Sequence, residues 1–82
     1  MEAQPEYRAE LLKRLGLHIR TLRKARGISQ EALALEAGFS RSYFSEIELG
    51  RRNLSFLNMV KLARGLNVPV RTLVDFEGGE PD

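Results

Sequence analysis

The sequence contains no cysteine, which excludes disulfides, thiolate metal sites and cysteine nucleophiles. Its single histidine, His18, has no spaced carboxylate cluster beside it and cannot close a metal site alone. It reads as a surface side chain. No serine has a histidine placed as triad chemistry requires, and no glycine-rich phosphate loop is present. No apolar run approaches the roughly 20 residues of a membrane span. The opening stretch MEAQPEYRAE is acidic and polar, unlike a secretion signal. Repeats, low-complexity segments and alternating strand patterns are also missing. These absences argue against an enzyme, a metal or cofactor site, and a membrane protein. They lead to the expectation of a cytoplasmic chain. Its 82 residues are expected to form one domain with a modest core.

What is present is positive charge, unevenly placed. The overall net charge is only +2. Residues 8–64 hold twelve Lys or Arg against five Glu, a local net of +7. Asp75, Glu77, Glu80 and Asp82 then put −4 on the last eight residues. A basic body with an acidic end suggests that the body meets nucleic acid.

The pattern of apolar residues is helical throughout, so the expected class is all-α, a compact bundle of five helices. Residues 1–7 read as a flexible N-terminal tail, with the first helix starting near Tyr7 or Arg8. Leu12, Leu15, Ile19 and Leu22 recur at helical spacing and give that helix one apolar face, up to about Arg26. Gly27 stops it, and Ile28 drops into the core. Ser29 can cap a second helix, on which Leu33, Ala34 and Ala37 share a face. Gly38 suits a left-handed helix end. Ser40 caps a third helix with Phe44 and Ile47 inward. Ser55 caps a fourth, SFLNMVKLARGLN, with Phe56, Met59, Leu62, Ala63 and Leu66 expected on the core side. Asn67 can end it. Pro69 precedes a short fifth helix, VRTLV. The domain is thus expected over 8–76, with an acidic tail at 77–82.

Two helices joined by a short turn around a glycine form a helix-turn-helix, here at about 30–49. Ala34, Gly38 and Ile47 stand at the fifth, ninth and eighteenth places of the run starting at Gln30. That spacing resembles the phage-repressor-like (Cro/repressor-type, XRE) helix-turn-helix family. The flanking KARGISQEALA and LNVPVRTLV segments resemble it too, so the likeness covers roughly residues 9–75. Within the family, RSYFSEIELGRRNLS is most similar to the small controller proteins of restriction–modification systems. Phe44 departs from the usual Ile or Val but stays large and apolar.

The resemblance implies a lambda-repressor-like DNA-binding domain acting as a sequence-specific transcriptional regulator. In such a motif the first turns of the recognition helix reach base edges in the major groove. Arg41, Ser42, Ser45 and Glu46 are the candidates. Arg41 can span guanine O6 and N7. Glu46 can accept from cytosine N4, or it can repel phosphate and sharpen selectivity. Gln30, opening the second helix, can donate to phosphate beside the helix N-terminus; the family uses a glutamine there in that role. Tyr43 matches a tyrosine that approaches the DNA backbone in the controller subgroup. Arg51, Arg52 and Asn53 follow the recognition helix and should meet phosphates, with Arg52 able to reach a base. Arg23 and Glu48 match a pair that ties the first helix to the third in the family.

The fourth helix carries a second apolar face. Leu57 and Val60 point away from the expected core, with Arg64 beside them. Val70, Val74 and Phe76 extend the patch. The controller subgroup pairs through this end of the fold, which implies a homodimer on a palindromic operator. The expected partners are double-stranded DNA, a second copy of the chain and, at a promoter, RNA polymerase. Two other readings stay open at this point. One is an antitoxin-type module that binds a protein as well as DNA. The other is a co-activator or RNA-associated domain with little sequence preference.

Overall fold

Three serines start three of the helices. Ser29, Ser40 and Ser55 each turn a side-chain oxygen onto the backbone N–H three residues on, at Ala32, Tyr43 and Asn58, at 3.0, 3.1 and 3.1 Å. Each such cap contributes about 1 kcal/mol. In the computed structural model, which describes residues 5–76, the helices are α1 (Pro5–Arg26), α2 (Gln30–Ala37), α3 (Arg41–Glu48), α4 (Phe56–Leu66) and α5 (Val70–Leu73). Residues 1–4 and the expected acidic tail at 77–82 lie outside the described residues. The domain is all-helical among those residues.

Two ends come out differently from the sequence reading. α1 begins at Pro5, so residues 5–7 belong to the helix rather than to a tail. Proline suits a first helical position, where its missing N–H would be unpaired anyway. α5 stops at Leu73, and Val74 caps it.

The core gathers one face of every helix. Ile19 of α1, Leu33, Ala34 and Ala37 of α2, Phe44 and Ile47 of α3, Leu62, Ala63 and Leu66 of α4, and Leu73 of α5 are all buried. Ile28, Leu54 and Val68 pack onto this cluster from the connecting segments. Gly38 and Asn67 end α2 and α4 in the left-handed region, at φ 81° and 62°. Asparagine tolerates that conformation better than other residues with a Cβ.

α1 lies across the C-terminal end of α3, and one residue permits it. A Cβ on Gly16 would stand 2.5 Å from the Glu48 carbonyl oxygen and 2.6 Å from that of Ile47. No side chain fits between the two backbones. Gly65 lies close to α2 by a side-chain contact instead: a Cβ there would meet Leu33 Cδ1 at 2.7 Å, while the nearest α2 backbone atom is the Ala37 nitrogen at 3.8 Å.

Phe56 is corrected by the structure: it is 66% exposed rather than inside. At about 100° per residue it sits on the border of the α4 core face. It is also the first residue of the helix. His18 is corrected as well. It is half-buried, and its Nε2 donates to the Thr72 carbonyl at 2.7 Å. Its ring also lies 5.5 Å from that of Phe76. It therefore joins α1 to α5 and the segment after it.

Candidate nucleic-acid interface

The turn between α2 and α3 is three residues, Gly38, Phe39 and Ser40. Phe39 N–H bonds back to the Ala34 carbonyl at 2.8 Å, and Phe39 packs edge-on to Tyr43, with ring centroids 5.0 Å apart. With Ala34 buried under the crossing, α3 is held on the surface of α2. Phe44 and Ile47 anchor it inward. Arg41 and Ser42 are exposed, and Ser45 and Glu46 are half-exposed on the outer side.

In front of this face lies an open cleft of about 450 Å³. Arg20, Ser29, Gln30, Arg41 and Ser45 line its walls. Its floor is a buried polar network. Arg23 Nε donates to Glu48 Oε2 at 2.7 Å and Nη2 to Oε1 at 3.1 Å, a bidentate pair. Arg23 Nη1 donates to the Ile28 carbonyl at 2.9 Å. Gln30 Nε2 donates to Glu48 Oε1 at 2.8 Å. Arg23 is 8% exposed and Glu48 7%. A buried ion pair is tolerable when its remaining hydrogen-bonding capacity is used, and here the backbone and Gln30 use it. The network binds α1, the start of α2 and the end of α3 into one unit.

Gln30 therefore has two faces. One amide N–H is committed to Glu48, while the residue itself still lines the cleft. Its second N–H is chemically free to serve a phosphate.

The loop after α3 is also organised. Arg52 Nε donates to Glu46 Oε1 at 2.8 Å, and its guanidinium carbon lies 5.3 Å from the centre of the Tyr43 ring. Asn58 Nδ2 donates to the Tyr43 hydroxyl at 2.9 Å. Tyr43 is half-buried at the flank of α3. Arg51 is exposed. Asn53, also exposed, sits apart from the cleft: it lines a groove with Arg8, Leu11 and Leu12 of α1.

Of the apolar patch on α4, Leu57 is 70% exposed and Val60 half-exposed, with Arg64 exposed next to them. Val74 is 52% exposed. Val70 and Phe76 are corrected in part. Val70 packs against the core, and Phe76 packs against His18. Phe56 joins the exposed stripe in their place.

One residue of the cleft, Arg20, and one that braces the fold behind it, Arg26, went unread in the sequence. Arg20 stands in the cleft wall, three residues before Arg23, and residues three apart share a helix face. That spacing was the available signal. Arg26 fastens the end of α1: its Nη1 donates to Glu36 Oε1 at 3.1 Å and also to the Gly65 carbonyl. Its backbone partner left no trace in the sequence.

Among the described residues no helix is long and apolar enough to cross a membrane. A short helix-turn-helix on an all-helical core, with serine and arginine on the outer face of its second helix, defines a DNA-binding regulator of this class. The helix-turn-helix family model matches residues 19–73, and the chain belongs to that family of transcription regulators, which are not enzymes. It is 40% identical over 62 residues to the control protein C.BamHI of Bacillus amyloliquefaciens, covering 74% of this chain and 76% of that one. It is 38% identical over 61 residues to the control protein C.MunI of a Mycoplasma species, covering 73% and 82%. Among solved structures, the restriction–modification controller protein C.AhdI from Aeromonas hydrophila superposes with a TM-score of 0.74 at 46% identity, over 79% of this chain and 97% of that one.

Proposed function

We propose that this regulator is a restriction–modification controller that binds a palindromic operator as a homodimer. The observation that carries the reading is the outer face of α3. Arg41, Ser42 and Ser45 stand clear of the core on a helix locked at both ends, beside a cleft walled by Arg20 and Gln30. In this reading Arg41 reads guanine, and Ser42 and Ser45 meet neighbouring base edges. Arg20, Gln30, Arg51 and Arg52 bind phosphate, and Tyr43 approaches the backbone beside them. Asn53 contacts backbone nearer the first turns of α1. Relatives named as control proteins support the narrower role. Regulation follows from occupying a promoter, with contact or competition with RNA polymerase set by the operator's position.

A recognition helix of eight residues touches few base pairs, so useful affinity calls for two copies. The stripe of Phe56, Leu57 and Val60, together with exposed Val74, is the surface for the second copy in this reading. Two-fold pairing there sets the recognition helices about 34–36 Å apart, one turn of DNA.

Selection of bound fragments from random duplex DNA tests the reading. A palindromic consensus is expected. Repeating the selection with Arg41→Ala should relax one base position per half-site, a loss of about 1–3 kcal/mol in discrimination. Recovery of duplexes without any consensus would refute the reading.

A further inference from the structure

Glu46 poses a problem for a DNA-reading surface. It is a carboxylate on the outer face of α3, beside Ser42 and Ser45, where phosphates would approach. The structure gives it a partner: Arg52, from the loop after the helix, at 2.8 Å. The pair is half-exposed, with side chains 38% and 51% accessible. Arg52 is further placed by the Tyr43 ring beneath it, and Tyr43 is itself held by Asn58 and Phe39. The cation is thus posted at the edge of the reading face and already neutralised.

We propose that Glu46 is a specificity-determining residue: its carboxylate holds Arg52 back from DNA of the wrong sequence and yields it where a base-edge donor takes the arginine's place. The inference rests on the reading of α3 as the recognition helix. On any duplex, Arg52 can reach phosphate only by exchanging one anion for another. On an arbitrary sequence that exchange leaves Glu46 unpaired in a groove flanked by phosphates, so the gain is cancelled. On the operator, an amino group in the major groove, of the kind cytosine N4 offers, donates to the released carboxylate. The phosphate contact is then added at no cost to Glu46. The ion pair works as a repulsive element against the wrong partner, which is how many interfaces gain discrimination. Arg52 Nε is the atom engaged. The guanidinium carries further donors for DNA once it is released.

The test uses the full chain and two duplexes of equal length, one recovered by selection with the wild-type protein and one unrelated. In Glu46→Gln the side chain keeps its shape and loses its charge. Binding to the unrelated duplex is expected to rise about tenfold, with a salt slope steeper by about one unit per chain, as one more phosphate is engaged. Affinity for the selected duplex should stay level or fall, so the specificity ratio drops by about tenfold or more. Adding Arg52→Gln should erase the gain on unrelated DNA. A Glu46→Gln protein that keeps the wild-type ratio overturns the proposal. So does a gain that survives Arg52→Gln, because Glu46 would then act as plain charge repulsion without the arginine. A wild-type protein that prefers neither duplex overturns the reading beneath, and this proposal with it.

Discussion

Glu48 is a buried negative charge in the floor of the cleft that the proposed function turns toward DNA. Alone it would weaken both the fold and the interface. It does neither because three N–H groups, two from Arg23 and one from Gln30, converge on its two oxygens. Its charge is used up in placing Gln30 and fixing the end of α3. Glu48→Ala leaves the Arg23 guanidinium buried and unpaired, and should cost about 3 kcal/mol or more. Arg23→Ala should cost a similar amount, and the double variant much less than their sum. Urea unfolding of the four proteins checks this, and strict additivity would mean that the two side chains act independently. The spacing of Arg23 and Glu48 put both at the borders of apolar faces, and the family likeness paired them. The attachment of Gln30 to the same carboxylate was not legible, because it depends on where the ends of α2 and α3 arrive. His18 was misread for a related reason. Its acceptor is the Thr72 backbone carbonyl, and every residue has one.

At the scale of the helices, the serine caps, the glycine and asparagine ends and the apolar spacing were all visible in order. Crossings were less visible. α1 reaches α3 only because Gly16 has no side chain, and no local pattern separates such a glycine from one that merely weakens a helix. The two cases predict opposite signs. An interior helical glycine changed to alanine ordinarily gains about 1 kcal/mol. Gly16→Ala forces a Cβ against the Ile47 and Glu48 carbonyls. It should therefore lose about 1–3 kcal/mol, the usual cost of overpacking. Denaturant midpoints decide it, and a stabilised variant would show that α1 can lift away freely. Phe56 belongs at this scale too. Helical periodicity gives an angle around α4, but whether a border residue is covered depends on a neighbour beyond the helix end.

At the scale of the whole molecule, the outer stripe of α4 is the surface proposed for a second copy of the chain. Leu57 lies about opposite the core face at 100° per residue, and Phe56 and Val60 stand within one turn of it. Leu57→Glu with Val60→Glu should leave a folded, helical chain that sediments as a monomer at micromolar concentration and binds the full operator weakly. A double variant that remains dimeric would place the interface elsewhere, and one that unfolds would assign these residues to the core. The patch itself was legible from the sequence except for its membership. Phe56 joins the exposed stripe, while Val70 and Phe76 are half-buried against the core and His18. The buried clamp on Glu48 has a mechanical corollary at this scale. α1, α2 and α3 are riveted together, so the reading head has little compliance of its own. In a dimer of such heads the separation and tilt of the two recognition helices are set by the protein, and the double helix has to do the yielding. Base pairs between the half-sites that no side chain touches would then be selected for deformability, since bending and twisting them to fit is an elastic cost that depends on their sequence.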